Sequence, residues 1–210
     1  MPGLSTPTRL LDVGVASTVL TGERESGDLH LVHELDGGDR VLVAVVDGLG
    51  HGQEAAVAAR LAIDTLDRHG AASIPDLVQR CHAALIATRG VVMSVAHFDA
   101  TRDTMTWVGL GNVAGVLVSG DGGGRPTYTT LVTRGGIVGS RSGHPPVRPW
   151  VIPIQPHDIL VLATDGLHAD FGDDIVPRRD PQVTAARLLE RHGKGTDDAL
   201  VLIARYLGRR

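Results

Sequence analysis

Two unbroken apolar runs dominate the pattern of this chain, and each closes on Asp-Gly-Leu: VLVAVVDGLG at 41–50 and DILVLATDGLHAD at 158–170. A short continuous apolar run bounded by a turn signal reads as a strand buried on both faces. The Asp then sits just past the strand end, and Gly lets the backbone turn sharply or come close to a ligand. Asp47 and Asp165 are therefore expected on rigid strand tips, with carboxylates pointing out of the core.

The remaining pattern alternates between strand and helix periods. Strands are expected near 10–17, 28–34 and 40–46, followed by a helix over 52–70, where Ala55, Ala58, Ala59, Ala62 and Leu66 recur at helical spacing. Gly70 suits its C-terminal cap. A second helix is expected from Pro75 to about Thr88, with Ser73 near its start and Gly90 closing it. Strand-like segments then follow at 91–99, 104–110, 113–119, 127–132 and 158–164, with DGGG at 121–124 as a hairpin loop. The Gly- and Pro-rich stretch 135–150 reads as an irregular surface excursion. A helix around 181–192 and a strand over 199–207 complete the series. Strands in runs and helices in a few groups predict an α+β fold, with two antiparallel sheets packed together and helices outside.

Composition narrows the class. With 42% hydrophobic and 21% charged residues in 210, the chain is an ordinary globular protein, expected to be one domain over 1–210 with no separate regulatory domain. A formal charge of -4 does not supply the clustered basic face that nucleic acid requires. A single cysteine, Cys81, excludes an internal disulfide and the thiolate sets of structural zinc. The first residues lack the features of a signal peptide, and no apolar run approaches the ~20 residues needed to span a bilayer. The cytoplasm is the expected location, without a membrane partner.

Four acidic spots share one character, an Asp beside Gly or another Asp at a strand edge: Asp28, Asp47, Asp165 and the pair Asp197-Asp198. Any one of them could simply be a turn or a helix cap. Together they form an oxygen-only set of the kind that favours Mg²⁺ or Mn²⁺. The Gly48 carbonyl could join them, since no side chain blocks approach.

The segments VVDGLGHGQEAAVAA, ATDGL and GTDDALVLIAR, with GLGNV (109–113) and GGIVGSR (135–141), resemble the PPM (type 2C) metal-dependent serine/threonine phosphatases in their bacterial SpoIIE-like branch. The resemblance runs from about Asp28 to Tyr206 and is greatest to small stand-alone members of the stressosome pathway. It implies a four-layer α-β-β-α sandwich and two Mn²⁺ or Mg²⁺ ions. Asp47 would bridge the ions, the Gly48 carbonyl would bind the first, and Asp28, Asp165 and Asp197 would hold the second. Asp198 is the weaker neighbour. A metal-bridging water would attack the phosphoryl group in line. His51 could protonate the leaving Ser or Thr oxygen, or could instead only order the turn and cap the helix. Arg24 lies roughly where other PPM branches keep a phosphate-binding Arg, but reads here as a surface residue. The implied substrates are phosphorylated STAS-domain stressosome or anti-sigma-antagonist proteins. A non-catalytic module of the same fold and a small-molecule phosphoesterase are the alternatives.

Overall fold

The computed structural model of the chain describes residues 8–119 and 125–209. It opens with strands β1 (Leu11–Thr18), β2 (Asp28–Leu35) and β3 (Arg40–Gly48), then helices α1 (Gln53–His69) and α2 (Ile74–Leu85). Strands β4 (Val91–Asp99), β5 (Thr104–Leu110), β6 (Ala114–Ser119), β7 (Thr127–Leu131), β8 (Trp150–Pro153) and β9 (Ile159–Ala163) follow. Helix α3 (Pro181–His192) and strand β10 (Ala199–Tyr206) end the described fold.

The strands form two antiparallel sheets, ordered β1-β10-β9-β6-β7 and β2-β3-β4-β5-β8. Alternation along each strand decides which layer a residue enters. In β3, Val41, Val43 and Val45 face the other sheet, where they meet Leu160, Leu162, Leu200 and Leu202. The intervening Leu42, Ala44 and Val46 pack instead under α1 and α2, against Ala58, Ala59, Ala62, Leu66 and Leu77. In β10, Val201 and Ile203 turn outward to meet Ala185 and Leu188 of α3. The central strands of each sheet are thus covered on both faces, the edge strands β7 and β8 staying largely exposed, and the layers run helix, sheet, sheet, helix, as expected. The small alanines of α1 allow that helix to sit close on its sheet.

The Ser73 signal acts as expected, and Asp180 supplies a second cap that the sequence pattern does not mark. Ser73 caps α2 by accepting a hydrogen bond from the Asp76 amide (3.3 Å), and Asp180 caps α3 through the Val183 amide (3.0 Å). Three details differ from expectation. Strand β3 continues through Gly48, so Asp47 lies within its last turn of pleat and not beyond it. Helix α2 ends at Leu85, and Gly90 instead opens β4 with φ +82°. The excursion over 135–150 ends in a strand, β8, which pairs with β5 through Trp150↔Trp107 to Pro153↔Thr104. The expected hairpin loop at 121–124 lies outside the described residues, although its flanks, β6 and β7, do pair antiparallel. No described helix is long and apolar enough to cross a membrane.

Candidate metal centre

Antiparallel register brings the first two acids together. Asp28, the first residue of β2, is paired directly with Asp47 near the end of β3. Asp165 follows β9 and Asp197 precedes β10, so both belong to the other sheet. The acids therefore meet at the seam where the two sheets face each other. Asp47, Asp165 and Asp197 line one cleft of about 410 Å³, together with Asn112 and the backbone of Gly135, Gly136 and Ile137.

The two Asp-Gly-Leu glycines serve close packing. A Cβ on Gly48 would stand 2.3 Å from the Ala55 carbonyl oxygen at the start of α1, and one on Gly166 would stand 2.0 Å from the Asp198 carbonyl oxygen. Neither has positive φ, so it is space and not backbone strain that demands glycine there.

The electrostatics are those of crowded acids. Asp28 is 4% exposed, and its carboxyl is pushed from the ordinary 3.8 up to about 7. Burial is the main cause; the Thr164 hydrogen bond pulls the other way, and the charges of Asp198, Asp165 and Asp197 add to the rise. Asp47 is pushed up to about 8, by burial first and then by Asp28, Asp165, Asp197 and Asp198. Among the described residues, no Lys, Arg or His forms an ion pair with any of these five carboxylates. Lys194 donates to the Asp165 backbone carbonyl at 2.6 Å and not to its carboxylate.

Individual carboxylates are held by different partners. Asp28 Oδ2 accepts from Thr164 Oγ1 (2.7 Å), and that hydroxyl accepts in turn from the Leu200 amide (2.8 Å). Asp165 Oδ2 accepts from Asn112 Nδ2 (2.6 Å). Asp198 is buried and accepts from the Leu20 and Gly27 amides, both at 2.7 Å. Among the described residues, its neighbour Asp197 accepts only from the Asp198 amide (2.9 Å), and it opens to the cleft. Among the described residues, no three His, Cys, Asp or Glu side chains are gathered into a ready-made metal cage. The donor chemistry fits a hard divalent cation: the donors are oxygens, the negative charge is in excess, and two acids are strained towards protonation.

His51 stands apart from this cleft. It is exposed, and its Nδ1 lies 2.6 Å from Glu23 Oε1. Arg24 is an exposed residue of the same loop as Glu23. Thr164 and Asn112 were not singled out from the sequence. The available signal was slight, a hydroxyl ending an apolar strand and an amide after Gly-Leu-Gly.

The family model described as Stage II sporulation protein E (SpoIIE) matches residues 37–207, most of the chain. The chain belongs to the SpoIIE family. Solved structures share its architecture. A chain from work on the bacterial stressosome, a modular system adapted to control secondary messenger signalling, is 26% identical with a TM-score of 0.80, covering 93% of this chain and 99% of its own. RsbX in complex with magnesium is 19% identical with a TM-score of 0.80, covering 96% and 98%. The serine/threonine phosphatase PstP/Ppp of Mycobacterium tuberculosis is 18% identical with a TM-score of 0.71, covering 95% and 100%. The last two likenesses establish the fold. No curated protein sequence matches the chain. Family and fold together make this SpoIIE domain a PPM-type phosphoprotein phosphatase, and Asp47, Gly48, Asp165 and Asp197 all lie within the matched span.

Proposed function

We propose that this SpoIIE domain is a Mn²⁺- or Mg²⁺-dependent phosphatase of phosphoserine or phosphothreonine on STAS-type stressosome or sigma-factor regulatory proteins. The observation that carries the reading is the meeting of the acids at the sheet seam, with Asp28 and Asp47 held well above the ordinary carboxyl range and paired with no cation. Asp47 would bridge two ions, with the Gly48 carbonyl on the first and Asp28, Asp165 and Asp197 on the second. Such a pair supplies charge neutralisation for the phosphoryl group and an activated water.

The chain's own residues have separable tasks in this scheme. Asp28 and Asp165 are oriented through Thr164 and Asn112, so one oxygen of each is already engaged and its rotation restricted. Asp198 is a brace for the loop ahead of Asp28 and not a ligand, since both of its oxygens are taken by amides. His51 does not line the cleft and its Nδ1 is held by Glu23, which favours its ordering the turn ahead of α1 over giving a proton to the departing Ser or Thr oxygen. The structural neighbour from work on the bacterial stressosome supports the choice of substrate class. The test is a screen of phosphorylated STAS-domain proteins with purified enzyme and Mn²⁺. Release of phosphate from at least one is expected, and release from none, alongside hydrolysis of small phosphoesters, would favour the small-molecule reading.

A further inference from the structure

Between Gly122 and His157 the chain has no Asp or Glu, although it carries Arg125, Arg134, Arg141 and Arg148. With 24 acids in 210 residues, a stretch of 36 would ordinarily hold about four. This stretch includes β7 at the outer edge of one sheet and β8 at the outer edge of the other. On the way it passes the metal cleft, which Gly135, Gly136 and Ile137 help to line.

Three observations mark the segment as more than a solvated loop. Among the described residues, no carboxylate pairs with Arg134, Arg141 or Arg148, whereas Arg40, Arg60, Arg89 and Arg205 are each paired. Arg141 reaches only a backbone carbonyl, that of Ile86, and the buried Nε of Arg134 has no hydrogen-bond partner. Large apolar side chains are exposed on the same segment: Val132 is 70% exposed, Val151 66% and Trp150 52%. The backbone over 134–139 is nevertheless fixed beside the cleft. The Arg134 amide donates to the Gly109 carbonyl (3.0 Å), Val138 exchanges both backbone bonds with Val91 (2.9 Å each), and the Gly139 amide donates to His82 Nδ1 on α2 (3.1 Å).

We propose that this acid-free segment is a docking surface for an acidic face of the phosphoprotein substrate, placed so that the phosphorylated residue enters the adjoining cleft. The proposal rests on the phosphatase reading above and adds to it the charge of the partner. Arginines without a carboxylate partner and an exposed tryptophan on one segment combine residue types that dominate protein interfaces. The charge division is also consistent, with carboxylates lining the cleft and Arg134 directly preceding Gly135 of its lining. Rim charges act chiefly on encounter and on salt dependence.

The test uses phosphothreonine peptides flanked by Glu, by Ala or by Lys, with p-nitrophenyl phosphate as a substrate too small to reach the rim. The enzyme with Mn²⁺ is compared with the exposed double variant Arg141→Glu, Arg148→Glu, checked for an unchanged melting temperature. We expect kcat/KM to be at least about tenfold higher for the Glu-flanked peptide at low salt, and that preference to vanish in the double variant. Turnover of p-nitrophenyl phosphate should be unchanged. A preference that survives the double variant, or no preference for acidic flanks, overturns the docking surface. If neither p-nitrophenyl phosphate nor any peptide is hydrolysed, the phosphatase reading fails on its own. Fluorescence anisotropy then decides the surface: weaker binding of the Glu-flanked peptide to the double variant supports it, and equal binding overturns it. Self-association of the wild-type chain that the double variant loses would assign the face to a second copy and also overturn the proposal.

Discussion

Asp197 and Asp198 are adjacent in sequence and opposite in circumstance. Asp198 is buried with two amides at 2.7 Å, while Asp197 faces the cleft. Hydrogen bonds to a charged acceptor are each worth about 1.5–3 kcal/mol. Asp198→Asn should therefore lower the unfolding free energy by about 2 kcal/mol in urea titrations. Asp197→Asn should change it by less than about 0.5 kcal/mol, yet weaken Mn²⁺ binding in calorimetry. Nothing in the letters Asp-Asp separates the two roles, because the amides that hold Asp198 come from about 170 residues away, beyond any local signal. Asp28 and Asp47 carry a second consequence at this scale. Their carboxyls lie at about 7 and about 8, against 3.8 when unfolded, so the folded chain keeps protons that the unfolded chain has released. The stability they contribute is fully present below about pH 4 and is lost as pH rises through 7 to 8. Melts of chelated protein should fall over that interval, and Asp47→Asn should flatten the fall. A melting temperature that climbs steadily from pH 5 to 8 would contradict it.

At the scale of elements, the sequence was most readable where one period had a single cause. The run 41–46 is apolar on both faces because one face meets a sheet and the other meets α1 and α2. The length of α1 was legible from apolar spacing and its Gly70 cap. Strand β8 was not, because Pro149 and Pro153 bracket it and proline reads as a breaker. An edge strand tolerates proline, since one row of its amides needs no partner, and edge position is a tertiary fact. The glycines of the twin tripeptides were expected to allow a sharp turn or approach to a ligand, whereas what they approach is backbone, at Ala55 and at Asp198. Gly48→Ala would drive a Cβ into the Ala55 carbonyl at 2.3 Å. Overpacking of this kind costs on the order of 1–3 kcal/mol. It should shift the start of α1 and impair metal binding together, as a combined melt and Mn²⁺ titration would show. Stability unchanged within error would mean that α1 yields freely at its first turn.

At the scale of the whole molecule, the site exists only because two sheets pack. One sheet supplies Asp28 and Asp47, the other Asp165 and Asp197, and the shared core of Val43, Val45, Leu162 and Leu200 holds them face to face. Metal affinity and sheet packing are therefore linked. A cation that binds only the folded chain at a hundredfold its Kd adds about 2.7 kcal/mol of stability. Mn²⁺ should accordingly raise the melting temperature of the wild-type chain, and much less that of Asp165→Asn. The seam was legible in the sequence as a set of scattered acids, but their division between two sheets was not, since it depends on a strand order that places β10 between β1 and β9. The most direct test is phosphate release from a phosphothreonine peptide with Mn²⁺, by the wild-type chain and by Asp47→Asn at equal concentration. We expect Mn²⁺-dependent release by the first and a loss of at least about a hundredfold in the second. Release that persists in Asp47→Asn, or that proceeds at full rate in excess chelator, would contradict the assignment of the seam as the catalytic metal centre.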